Sequence, residues 1–205
     1  MMRLGVSVEG PTEREFVNRV LQPHLKSFGW DMVKPVLFGN SGGGVWLHRF
    51  RDEIRLLSTN YEKVTTLYDL YRFVGREGRD AEAMEQVMAE VAGGVANLIP
   101  YMQRYEFEAL IFSDPETLAY EFSEPNSLKK LSDVLIQCGS PESINHDFHN
   151  VPSRRLQRIF PTYDKVVHGA LLANKIGLDR ISRQCPRFAN WLAKLEAIPR
   201  QVLTP

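Results

Sequence analysis

The sequence predicts an α/β fold with a mostly parallel sheet, and three observations lead there. Short apolar, Val-rich segments alternate with segments whose apolar residues recur at helical spacing. The apolar segments stop at acids or at Gly/Pro turns, as strands feeding helices do. At 205 residues and 43% hydrophobic content, the chain also holds enough apolar material to close a core.

Residues 3–8, RLGVSV, read as a buried strand bounded by Glu9, Gly10 and Pro11. A helix follows, with Thr12 as its expected N-cap and Glu15 completing a capping box. Phe16, Val20, Leu21, Leu25 and Phe28 share its apolar face, and Pro23 kinks it or marks its last regular turn. A second strand is expected over residues 32–38, then a GNSGGG loop. The next helix covers about 46–57, with Leu47, Phe50, Ile54 and Leu57 on one stripe. Residues 64–69, VTTLYD, form a third strand ending in Asp69. A helix over 80–92 leads to a fourth strand over 95–102, where Pro100 places it at an edge or a strand end. Everything from about 105 onward has helical character. The division expected is an α/β core over residues 1–112 and a helical extension over 113–205. Trp30, Trp46 and Trp191 are read as core.

Formal net charge is zero, which by itself argues against nucleic acid or membrane as a partner. The distribution says otherwise. Residues 150–205 carry ten Lys/Arg against three Asp/Glu, a charge of +7, which leaves −7 on residues 1–149. Two such halves meeting in a cleft would offer carboxylates for a metal and cations for phosphates. Cys138 and Cys185 lack CxxC spacing, so reduced thiols and a cytoplasmic setting are expected, and no apolar run approaches a membrane span.

In an open parallel sheet, ligands gather at the carboxyl ends of the strands. Glu9 ends the first strand, with Glu13 in the following helical turn; Asp69 ends the third; Glu106 and Glu108 follow the fourth. Any one of these acids has an ordinary structural reading, Glu13 and Glu15 as helix N-terminal charges for example. Their coincidence at three strand ends is what points to Mg²⁺ or Mn²⁺, hard cations that take oxygen ligands. Glu106 and Glu108 share a face on a strand and diverge on a helix, so either one could be the ligand.

The extension supplies the opposite charge. Arg154 and Arg155 in PSRRL suit phosphate oxygens, and Lys165 and His168 in YDKVVHG share a helix face by their i, i+3 spacing. Arg158, Lys175 and Arg183 read as solvated surface. SGGGVW over 41–46 lacks a P-loop's Lys and Ser/Thr and reads as a turn. His146 and His149 have no third ligand to make a zinc site.

At VEGPTEREFV, YDLYRF, YEFEALIFSDP, PSRRL, YDKVVHG, IGL and CPRFANWL, the chain resembles, nearly end to end, a bacterial family of unknown function, DUF4276. That resemblance implies a TOPRIM-like fold, similar to topoisomerases, primases and nucleases of the overcoming-lysogenization-defect type. It also implies a phage-defence setting beside an ATPase. The TOPRIM pattern has a glutamate ending the first strand, matched by Glu9. It has an Asp-x-Asp pair ending the third, where this chain reads Asp69-Leu70-Tyr71. Tyr71 removes the second acid, and Glu106 or Glu108 would supply the missing oxygen.

The function expected is therefore a Mg²⁺- or Mn²⁺-dependent nuclease acting on DNA or RNA. Glu9, Asp69, Glu106 and Glu108 form its candidate metal set. Glu9 either ligates or serves as general acid/base; Lys165 and His168 assist catalysis; Arg154 and Arg155 hold phosphate. The alternatives are a non-catalytic partner subunit of an ATPase with a degenerate metal site, and hydrolysis of a small nucleotide.

Overall fold

The computed structural model describes residues 1–40, 45–95, 97–144 and 150–202. The turn at 41–44 and the pair His146 and His149 lie outside the described residues.

The expected α/β class is the observed one. β1 (Arg3–Val8) lies between β2 (Met32–Leu37) and β3 (Lys63–Asp69), and both pairings are parallel. β4 (Leu98–Ile99) and β5 (Met102–Gln103) both pair in parallel with β3. Val64 faces Leu98 and Tyr68 faces Met102, an offset of 34 positions in each case, so β4 and β5 are one edge strand interrupted in register. The interruption is Pro100, which has no N–H to give to the ladder. Thr66 fills the gap: its hydroxyl donates to the Tyr101 carbonyl at 2.7 Å and accepts from the Tyr101 amide at 2.8 Å. The strand expected over 95–102 is thus shorter, and shifted to 98–103.

Connections run through helices on both faces of the sheet. α1 (Pro11–Phe16) passes through a π-helical stretch, Val17–Leu21, into α2 (Gln22–Ser27). There the Gln22 amide bonds the Val17 carbonyl, five residues back. The wider turn precedes Pro23, whose ring and missing N–H disfavour an uninterrupted α-helix. Thr12 does not cap α1. Gly10 is the N-cap, without a side-chain bond, and Thr12 is buried within the first turn.

α3 (Leu47–Asn60) and α4 (Ala81–Val91) cover the opposite face, where Phe50, Ile54, Met84 and Met88 pack on Val64 and Tyr68. Gly5 opens that face to Tyr61: a Cβ at Gly5 would stand 2.7 Å from the Tyr61 ring. The α1 face is closed by the C-terminal helices. These are α5 (Glu108–Ile111), α6 (Pro115–Phe122), α7 (Ser127–Cys138), α8 (Pro152–Ile159), α9 (Lys165–Ile176), α10 (Leu178–Gln184) and α11 (Pro186–Val202). Leu4, Val6, Phe16, Leu110, Leu156, Leu172 and Phe188 belong to one continuous hydrophobic cluster. Segments 1–112 and 113–205 therefore share a core. Trp191 donates to the Thr65 hydroxyl at 2.8 Å and Trp30 to the Leu195 carbonyl at 2.9 Å, tying α11 to both ends of that core. Trp46, expected inside, is 46% exposed.

Candidate functional site

β1 feeds a helix leading outward to β2, while β3 feeds one leading to β4. The strand order reverses between β1 and β3, and such a point leaves a crevice at the carboxyl edge of the sheet. Glu9 follows β1 there and Asp69 ends β3, with the Asp69 amide donating to Glu9 Oε2 at 3.4 Å. Glu13 adds a third carboxylate from the first turn of α1, and Glu108 a fourth from the first residue of α5. All four are buried.

Lys165, the first residue of α9, enters this group. Its Nζ lies 3.2 Å from Glu108 Oε2, 3.5 Å from Asp69 Oδ2 and 3.9 Å from Glu13 Oε1. The close approach of α9 to α1 depends on Gly169, where a Cβ would stand 2.8 Å from Thr12 Cγ2 and 3.4 Å from the Phe107 ring. Asp164 caps α9 by accepting the Val167 amide at 2.9 Å. Asp69 is fixed on its other oxygen, Oδ1, by the Phe107 amide at 2.9 Å, and the Tyr163 hydroxyl donates to Glu108 Oε1 at 3.5 Å.

The electrostatics follow from burial. Desolvation pushes the Asp69 carboxyl well above the usual carboxylate range; Lys165 opposes this, while Glu13, Glu9 and Glu108 add to it. Desolvation also pushes Glu108 up to about 7 against the pull of Lys165. Burial works against the Lys165 charge, but Asp69, Glu108, Glu13 and Glu106 outweigh it and hold the ammonium protonated. Tyr163 is raised by burial first and then by Glu108 and Glu106.

Among the described residues, no three His, Cys, Asp or Glu side chains are grouped closely enough to hold a metal ion by themselves. The ammonium of Lys165 takes up the counter-charge in their midst. The donor chemistry nevertheless fits a hard divalent cation: three buried carboxylates, Glu13, Asp69 and Glu108, face one ammonium, and a fourth, Glu9, stands against the Asp69 amide, so every donor is oxygen.

The other expected site residues are placed differently. Of the Glu106/Glu108 pair, Glu108 reaches Lys165, while Glu106 Oε2 accepts the Ser153 amide at 2.9 Å in the first turn of α8. A helix start leaves amides unpaired, and a carboxylate satisfies one. Arg155 is buried and spends its Nε on the Asn150 carbonyl at 2.8 Å, so its guanidinium is not a fork presented at the surface. Arg154 is half-buried on the same helix. His168 is engaged outside the carboxylate cluster: its Nδ1 accepts the Asp164 amide at 2.9 Å, and its ring packs on Tyr163 and Phe122. Capture by the helix start overrides the shared face. Tyr71 sits in a 3₁₀ turn just beyond Asp69, under the Arg76 guanidinium, 5.5 Å from its ring centroid. Glu13, expected beside Glu9 with an ordinary reading as a helix N-terminal charge, is instead a member of the cluster. Its signal is the four-residue spacing from Glu9 across a tight strand-to-helix junction.

Comparison with solved structures finds the C-terminal region of the Xanthomonas campestris pv. campestris OLD protein in two forms, one phased with iodine and one with mercury. Identity is 18% and 17%; in both cases 98% of each chain is covered and the TM-score is 0.49. No curated protein matches. The model of the DUF4276 family, a domain of unknown function, matches residues 8–196. That span runs from the last residue of β1 well into α11 and includes every residue of the carboxylate–lysine cluster; the chain belongs to the DUF4276 family.

Proposed function

We propose that this protein is a Mg²⁺- or Mn²⁺-dependent phosphodiesterase, a TOPRIM-like nuclease acting on DNA or RNA. The observation that carries this reading is the burial of Glu13, Asp69 and Glu108 around Lys165, with buried Glu9 beside Asp69, at the switch point of the sheet. Carboxylates are not collected in a dry crevice without cations to offset their repulsion. Glu9, Asp69 and Glu108, with Glu13 beside them, would hold the ion. When bound, it would lower the pKa of water and polarise a phosphoryl oxygen. Glu9 would take the proton from the attacking water. Lys165, held protonated, would offset the charge that grows on the phosphoryl oxygens as the bond to the leaving oxygen breaks. Arg154 would meet substrate phosphate at the outer part of α8. Arg155 and His168 would hold α8 and α9 in place. The family resemblance further supports a phage-defence role beside an ATPase.

The protein incubated with Mn²⁺ and a panel of DNA, RNA and nucleotides should cleave at least one of them, and Glu9→Gln should abolish cleavage with the fold intact. Absence of cleavage, alone and with an ATPase partner, overturns the reading. Tyr71 in place of a second acid, with Lys165 already neutralising the cluster, favours a second reading, a non-catalytic partner subunit. Calorimetric titration with Mn²⁺ separates the two, because a degenerate site binds no ion.

A further inference from the structure

Trp46 is the exposed indole of the three tryptophans in the chain: Trp30 and Trp191 are 2% and 3% exposed, and Trp46 is 46% exposed. It immediately precedes α3, on the segment leaving the carboxyl end of β2. A parallel bridge joins it to Val74, five positions beyond Asp69, and the Val74 amide donates to the Val45 carbonyl at 2.9 Å. The backbone that carries the indole is thus anchored, on chain segments that emerge at the same sheet edge as the carboxylates. Beside it lies a cavity of about 480 Å³ lined by Trp46, Leu47, His48, Val74, Gly75 and Val91. The lining is apolar apart from His48, whose ring meets the indole edge-on at 5.7 Å.

Charge flanks this apolar face. Arg76, two residues after Val74, stacks over Tyr71 and makes no ion pair among the described residues. An aromatic ring with a guanidinium above it, on the segment whose Val74 bridges to the residue carrying an exposed indole, is a combination suited to unpaired bases and the phosphates between them. A duplex hides its base faces and must be held by charge, and this chain has none in surplus. Stacking supplies binding energy that does not depend on net charge.

We infer that Trp46 and the Tyr71–Arg76 pair form a binding surface for single-stranded nucleic acid, with Trp46 stacking on a base and Arg76 meeting a neighbouring phosphate. This rests on the nuclease reading for its substrate class and narrows that class to unpaired strands.

The test is titration of the full chain, in chelator so that nothing is cut, with oligo-dT and oligo-U of about ten nucleotides, a length within the range such surfaces cover. Tryptophan emission should be quenched, since the exposed indole is the one a base can reach. Trp46→Ala should abolish the quench and weaken binding about tenfold, and Trp46→Phe should lose the quench but keep most of the affinity. Arg76→Ala should lower the slope of log affinity against log salt by about 1. Unchanged affinity in Trp46→Ala overturns the inference, as does equal competition by duplex of the same sequence. If Trp46→Ala binds normally while cleavage persists, this inference fails and the nuclease reading stands. If binding depends on Trp46 and nothing is ever cleaved, the reverse holds. An oligo-dT response without an oligo-U response assigns the surface to DNA, and the converse to RNA.

Discussion

Lys165 Nζ stands 3.2 Å from Glu108 Oε2, joining the first residue of α9 to the first residue of α5 across 57 positions of sequence. It is the shortest of the ion pairs that Lys165 makes, the others being to Asp69 at 3.5 Å and Glu13 at 3.9 Å. Glu108 is fully buried, and Lys165 has burial working against its charge. The contact pins the helical part of the chain to the carboxyl edge of the sheet.

Removing the cation should therefore expose the repulsion it suppresses. Lys165→Met in chelator is expected to lower stability by about 2 kcal/mol, less than for a fully buried pair because the lysine side chain is 29% exposed. Urea denaturation measures this. Under the metal-dependent reading, Mn²⁺ should restore more stability to the variant than it adds to wild type.

Glu108 gives the metal-free protein a pH dependence with a definite sign. Its carboxyl is raised from 4.5 to about 7 in the fold, so between those values the native state holds a proton that the unfolded chain has released. The contribution is fully present below about pH 4.5 and is lost as pH rises through about 7, for a total of up to about 3 kcal/mol. Glu108→Gln should flatten this part of the stability–pH profile, measured in chelator. A profile identical to wild type would show that the group does not titrate there.

Gly169 sets the distance between α9 and α1. Gly169→Ala places a methyl 2.8 Å from Thr12 Cγ2, and overpacking of this kind costs about 1–3 kcal/mol. Thr12→Ser removes the obstructing methyl and should recover most of that loss in the double variant. The single variant should also displace Lys165 and lower any cleavage. Thermal melts of the three variants check the first expectation, and turnover the second.

Thr66 carries the edge strand across Pro100. Thr66→Val keeps the shape but takes the hydroxyl from the buried Tyr101 amide and carbonyl. A loss of about 1–3 kcal/mol is expected, with faster amide exchange at Tyr101 and Met102.

Periodicity and turn chemistry made most of the architecture readable. Apolar runs with Val and Leu, ending at Glu9 and Asp69, marked β1 and β3, and Leu47, Phe50, Ile54 and Leu57 marked α3. Local capping was less readable. The pattern favours Thr12 as an N-cap, yet its methyl is needed inside against Gly169, and Gly10 starts the helix instead. His168 shows the same limit: its spacing from Lys165 places both on one face, and the Asp164 amide engages it outside the cluster. Trp46 was hidden for a different reason, since composition cannot say which of three indoles remains outside.

The sequence by itself determined a parallel α/β sheet, acids at its strand ends and a basic C-terminal segment, because strand and helix periods and charge are local properties of the chain. Which acids meet, that Glu108 faces inward while Glu106 caps α8, and that one lysine stands among them were decided by tertiary structure alone. Those choices depend on strand order and on a close crossing of two helices at Gly169, and both are contacts between residues far apart in sequence.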